Sequence, residues 1–148
     1  MIYNEIKQDL FKVNNDYSLV HCISLDVQMG KGIATIFRNR YPDMVVYLKK
    51  YVRDNNINYP TCVWYHDEKE NRKIFNLMTK PKYWNKPNYF TITTALSDMK
   101  KQCLELGITK IAMPLIGCGL DKLKWGKVRK IIIDTFNDTD IEILVCIK

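Results

Sequence analysis

Two glycine-bracketed turns, with an acid just past one of them, are the residues of this chain best suited to chemistry. One runs Ile116-Gly117-Cys118-Gly119-Leu120-Asp121, after an apolar run and before Lys124-Trp125. Glycines at such a junction let backbone amides approach and point at an anion, and a following helix presents the positive end of its dipole there. The Gly-x-Gly-x-Asp spacing is neither the Gly-x-Gly-x-x-Gly of dinucleotide turns nor the Gly-x-x-x-x-Gly-Lys of nucleoside triphosphatases. On spacing alone, a tight strand-to-helix connection that holds nothing explains it equally well.

The other turn follows His21-Cys22-Ile23-Ser24, where a polar loop leads through Gly30-Lys31-Gly32 into Ile33 and Ala34. It has the form of a second amide nest. Two such turns in one small domain suggest a ligand with two phosphates, or a phosphate and a sugar. Cys118, between glycines near a helix start, has the position of an activated thiol. No base accompanies it: His21 falls in an apolar strand, where a packed and hydrogen-bonded core histidine is expected, and His66 falls in a loop.

The elements that must position these turns alternate along the chain. Runs rich in β-branched and apolar residues predict strands at Ile2 to Ile6, Leu19 to Ser24, Thr61 to Tyr65, Ile74 to Thr79, Lys110 to Ile116 and Ile141 to Ile147. Between them, helical faces are formed by Ile33, Ile36 and Phe37, then by Met44, Val45, Leu48 and Val52. A longer face runs from Ile92 through Ala95, Leu96, Met99 and Cys103 to Leu106, stopped by Gly107, and a last one comprises Val128, Ile131, Ile132 and Phe136. On the long helix Asp98 and Lys101, three apart, are expected to pair on the exposed face. Alternation of this kind implies a sheet covered on both faces, an α/β class in three layers, with ligands beyond the carboxyl ends of strands. The ends at Ser24, at Leu77-Met78-Thr79-Lys80-Pro81 and at Gly117 are the three to examine.

The 148 residues suit one domain, 1–148, with a single core. At 47% hydrophobic and 26% charged the composition is that of an ordinary globular chain, and no repeat or low-complexity tract appears. Five widely spaced cysteines, with no Cys-x-x-Cys pair and two histidines, argue for free thiols in a reducing, cytoplasmic setting and against a metal site. Neither a secretory start nor a membrane-length apolar segment is read at this stage, and a monomer is the default. The net charge of +7 favours anionic partners. Lys80, Lys82 and Lys86 interleave with Tyr83, Trp84 and Tyr89, a pattern suited to single-stranded nucleic acid, or simply a solvated basic surface.

Taken together the segments resemble the macrodomain family, an ADP-ribose-binding three-layer α/β/α fold, and most closely its terminal ADP-ribose protein glycohydrolase branch. The motifs are Lys7-Gln8-Asp9-Leu10-Phe11; the run from His21 to Ala34; Leu77 to Lys80 with Lys86-Pro87 and Tyr89 behind it; Met113-Pro114-Leu115-Ile116-Gly117-Cys118-Gly119-Leu120-Asp121 on to Trp125; and Thr139 to Ile143. The resemblance implies a central mixed, mostly parallel sheet of about six strands. It places Asp9 and the Leu10 backbone at adenine, with Gln8 standing where the family has glycine. Ser24, Gly30, Gly32, Ile33 and Ala34 would surround ribose and diphosphate, Ile116, Gly117, Cys118, Gly119 and Leu120 would close over the phosphates, and Thr79 and Pro114 would line the site.

The same resemblance maps a nucleophilic lysine onto Lys80 and an acid–base group onto Asp121. It implies release of terminal ADP-ribose from modified glutamate or aspartate side chains, with O-acetyl-ADP-ribose deacylation beside it and with no cofactor or metal. The alternative for Asp121 is an ordinary helix cap, and for Lys80 a phosphate-neutralising or solvent-facing lysine. The competing reading is a module that binds ADP-ribose or ADP-ribosylated protein without cleaving it. Removal of ADP-ribose from nucleic acid, and of phosphate from ADP-ribose phosphate, are further family activities.

Overall fold

The computed structural model describes residues 1–148 throughout. The apolar runs fold as strands β1 (Ile2–Lys7), β2 (Ser18–Ser24), β3 (Thr61–Asp67), β4 (Arg72–Lys80), β5 (Lys110–Met113) and β6 (Glu142–Ile147). The periodic segments between them fold as helices α1 (Ile33–Arg40), α2 (Pro42–Asp54), α3 (Tyr89–Leu106) and α4 (Trp125–Phe136), and a single 3-10 turn spans Leu10–Lys12.

The strands make one sheet in the order β1-β6-β5-β2-β4-β3. Every neighbouring pair is parallel except β3 with β4, which are antiparallel and leave β3 at an edge. This is the mixed, mostly parallel sheet expected, and the structure has the three layers that go with it. Strands buried on both faces read as continuous apolar runs, and β2 and β4 do so, with Leu19, Val20, Ile74, Phe75, Leu77 and Met78 all fully buried. One core lies between the sheet and α3 and α4, around Phe75, Leu96, Met99, Ile132 and Phe136. The other lies between the opposite face and α1 and α2, around Phe37, Met44, Leu48, Ile74 and Met78.

Local chemistry sets the ends of the elements. A reciprocal capping box between Asn88 and Thr91 starts α3 at Tyr89, and Gly107, at φ 69°, stops it as its position predicted. Strand β5 ends at Met113, short of the Ile116 expected: Pro114 has no N–H to offer, and the Ile116 amide turns back to the Pro114 carbonyl at 2.8 Å. Asp98 does not pair with Lys101. Its Oδ2 instead accepts from Thr61 Oγ1 at 2.9 Å and from the Cys62 amide at 2.8 Å, so it fastens the outer edge of β3 to α3.

Candidate active site

Strands β2 and β5 are neighbours, yet the chain leaves their carboxyl ends in opposite directions. The loop after β2 enters α1 on one face, and the loop after β5 enters α4 on the other. Such a reversal opens a crevice at the strand ends, and both glycine turns flank it.

The loop after β2 is held in an unusual backbone. Val27 at φ 54° and Met29 at φ 50° both lie in the left-handed region, and Gly32 follows at φ 60°. Left-handed backbone is costly for a β-branched residue, about 1–3 kcal/mol, and persists only where packing enforces it. Here the side chains of Val27 and Met29 are buried in the α1/α2 core, at 2% and 4% exposure. A Cβ on Gly32 would lie 3.5 Å from Leu120 Cδ1, so the two glycine turns touch across the crevice. The amides of Gly30, Lys31 and Gly32 on one side, and of Gly119, Leu120 and Asp121 on the other, donate to no protein group.

Strand β4 delivers Lys80. Its ladder with β2 runs in register from Leu19–Ile74 to Ile23–Met78, then slips so that Ser24 pairs with Lys80. Strict alternation would send Lys80 to the side of Met78, into the α1/α2 core. The extra residue, Thr79, re-aims it toward the loop that leads to α4. Lys80 Nζ donates to Asp121 Oδ1 at 2.7 Å, and each of the two side chains is 15% exposed. Asp121 is not a helix cap: α4 begins four residues later, after Lys124, with no side-chain cap. Thr79 itself is 1% exposed, and its Oγ1 has no partner.

Further contacts lock the loops together. The Ser24 hydroxyl donates to Asp26, whose other carboxylate oxygen accepts the Tyr83 amide at 3.2 Å. Lys86 Nζ donates to the Leu120 carbonyl at 2.8 Å. At the end of β1, Asp9 Oδ1 accepts the Phe11 amide at 3.0 Å and so opens the 3-10 turn, whose Leu10 is 4% exposed. Phe11 packs edge-on to Phe37 of α1, with ring centroids 4.9 Å apart, which places Asp9 on the α1 side of the same rim. Gln8, standing where a glycine was expected, is not in the left-handed region, so this backbone does not require one.

The Cys118 thiol and His21 are engaged in local contacts. Cys118 Sγ donates weakly to the Ile116 carbonyl at 3.4 Å, and burial pushes its thiol up, away from the thiolate. His21 is fully buried, stacked on Phe37 at 3.7 Å and bonded through Nε2 to Asn76 Oδ1 at 2.7 Å, and burial pushes it down to about 4. Asp26 belongs to the run from His21 to Ala34, but sequence reasoning assigned it no role; its contacts to Ser24 and to the Tyr83 amide, 57 residues away, are tertiary. Cys22 lies in the field of Asp121 and Lys80, and burial pushes its thiol up as well.

Comparison with known proteins identifies the family and the fold. The sequence model of the Macro domain family matches residues 20–132. The ADP-ribose glycohydrolase OARD1 of Bos taurus is 38% identical over 140 residues, covering 95% of this chain and 88% of that one. The DNA ADP-ribosyl glycohydrolase of Mycobacterium tuberculosis (strain ATCC 25618 / H37Rv) is 28% identical over 131 residues, 86% of this chain and 37% of that one. Among solved structures, Thermosipho africanus DarTG in complex with ADP-ribose superposes with a TM-score of 0.87 at 19% identity, over 99% of this chain and 42% of that one.

Proposed function

Because the chain belongs to the macrodomain family, we propose that its crevice binds ADP-ribose and that Lys80 and Asp121 release it from modified carboxylate side chains. The observation that carries this reading is the 2.7 Å pair of Lys80 Nζ and Asp121 Oδ1, in a site whose two glycine turns carry unpaired backbone amides. The amides of the two glycine turns take the diphosphate. Asp9 keeps one carboxylate oxygen free of the Phe11 amide for the adenine amino group, and Ser24 lies on the ribose side. The names of the relatives support a hydrolase acting on ADP-ribose-containing substrates.

The chemistry follows from the pair. Lysine attacks only as the free amine, and Asp121 is placed to take its proton. Lys80 Nζ then bonds to the anomeric carbon of the distal ribose as the bond from that carbon to the acceptor carboxylate breaks; the carboxylate leaves with the bonding electron pair and takes the proton from Asp121, which returns to its carboxylate form. The adduct is an N-glycosyl lysine. Water, deprotonated by Asp121, replaces the amine at the anomeric carbon and frees ADP-ribose and Lys80. O-acetyl-ADP-ribose, with an ester of the same ribose, is a second substrate.

A nucleic-acid acceptor is favoured by a separate observation: Lys31, Lys82, Lys86, Lys122 and Lys124 are all exposed on the loops around the crevice. The name of the mycobacterial relative points the same way. Incubation with an auto-ADP-ribosylated protein and with ADP-ribosylated DNA, followed by measurement of free ADP-ribose, tests both. Release from either substrate supports the hydrolase. Tight ADP-ribose binding with no release from protein, DNA or O-acetyl-ADP-ribose would make the protein a reader.

A further inference from the structure

The loop between β4 and α3 carries two rings that neither core takes up. Tyr83 and Trp84 are 53% and 64% exposed and meet edge to face, with centroids 5.0 Å apart and planes at 87°. Two adjacent rings with most of their surface in water, near the exposed Leu120 at 58%, form a patch rather than a scattered apolar residue.

The patch is held in place. The Tyr83 amide donates to Asp26 Oδ2, the Lys82 amide to Asn85 Oδ1 at 3.0 Å, and the Asn85 amide to the Lys82 carbonyl at 3.0 Å. Lys86 ties the far end of the loop to Leu120. Trp84 stands four residues beyond Lys80, which puts it within roughly 14 Å of the lysine along the backbone.

Its surroundings are cationic. The exposed lysines of the three loops have no accessible anion beside them, because the loops' two carboxylates are occupied: Asp26 by Ser24 and the Tyr83 amide, Asp121 by Lys80. An acidic peptide would answer the lysines but leave the rings without a partner. A single strand of nucleic acid answers both, with phosphates for the lysines and flat bases for the rings.

Building on the hydrolase reading above, we infer that Tyr83 and Trp84 are a stacking platform for a base of a single-stranded DNA acceptor, next to the nucleotide that carries ADP-ribose. The rings hold the strand so that its modified base reaches Lys80. Ring stacking is indifferent to base identity, so the platform positions the strand without reading its sequence.

The test measures binding of unmodified, fluorescein-labelled oligothymidine by anisotropy, beside an abasic strand of equal length and an RNA strand of the same sequence. The Tyr83→Ala/Trp84→Ala double variant is expected to bind oligothymidine about tenfold more weakly than wild type, and Trp84→Phe to stay close to it. Free ADP-ribose affinity and the thermal midpoint are expected to hold in both variants. Equal binding of the abasic strand, or unchanged binding by the double variant, would overturn the platform, and tighter binding of RNA would overturn its assignment to DNA. The hydrolase reading is judged apart from this, because strand binding needs no turnover: oligothymidine binding with the expected loss and no ADP-ribose release would leave the platform and sink the enzyme.

Discussion

Lys80 Nζ stands 2.7 Å from Asp121 Oδ1, and each side chain is only 15% exposed. An ion pair in open water contributes little, but one at the floor of a crevice fixes where both groups point. It also means that the amine and the carboxylate satisfy each other in the absence of substrate.

Removing the amine is therefore the sharpest perturbation. Lys80→Ala is expected to lower ADP-ribose release by roughly a thousandfold or more while leaving the dissociation constant for free ADP-ribose within a few-fold of wild type. Calorimetric titration with ADP-ribose and a release assay on the same preparation check this, and a variant that turns over like wild type would eliminate the lysine mechanism.

Removing the carboxylate acts on both the attack and the release of the adduct. Asp121→Asn keeps a hydrogen-bond partner for Lys80 but cannot take a proton, so turnover is expected to fall by about 10²–10⁴. Adduct that does form should persist, and cyanoborohydride treatment followed by peptide mass spectrometry should find ADP-ribose on Lys80. Adduct on another residue would reassign the nucleophile.

The second glycine turn is sensitive to a single methyl group. Gly117 has φ 73°, and a Cβ there would sit 3.1 Å from Leu123 Cδ1 and 3.3 Å from Ile92 Cδ1. Gly117→Ala is expected to lose about 1–3 kcal/mol of stability in urea unfolding. Gly30→Ala, where a Cβ meets nothing within 4 Å, is the control and should stay within about 0.5 kcal/mol. Equal losses in the two would remove the steric argument.

His21 makes the fold acid-sensitive. Its value falls from an ordinary 6.5 to about 4 because burial disfavours the charged ring. Between those limits the unfolded chain binds a proton that the folded one refuses. The contribution is thus fully present above pH 6.5 and is lost as pH falls toward 4, amounting to about 3 kcal/mol. Urea unfolding of wild type and His21→Gln at pH 7 and 4.5 should show a smaller loss in the variant; identical losses would refute the assignment.

The sequence by itself determined the repeating scheme of strands and helices, since apolar period and breaker residues are local properties. Gly107 stopped its helix where it stood, and both glycine turns followed strands as read. The packed role of His21 was legible because an apolar strand leaves its side chains nowhere but the core, and free Cys118 followed from the odd number and wide spacing of the cysteines.

Tertiary structure decided what depends on partners distant in the chain. Asp98 looked toward Lys101 because only helix neighbours are visible in sequence, yet its contacts are Thr61 and Cys62 on an edge strand. Asp121 could also be read as a cap until the start of α4 at Trp125 left it to Lys80, 41 residues away. The slip that places Lys80 beside Ser24 is a matter of inter-strand register. A single extra residue, Thr79, reverses which face the lysine meets, and no local pattern in the sequence records the strand it is counted against.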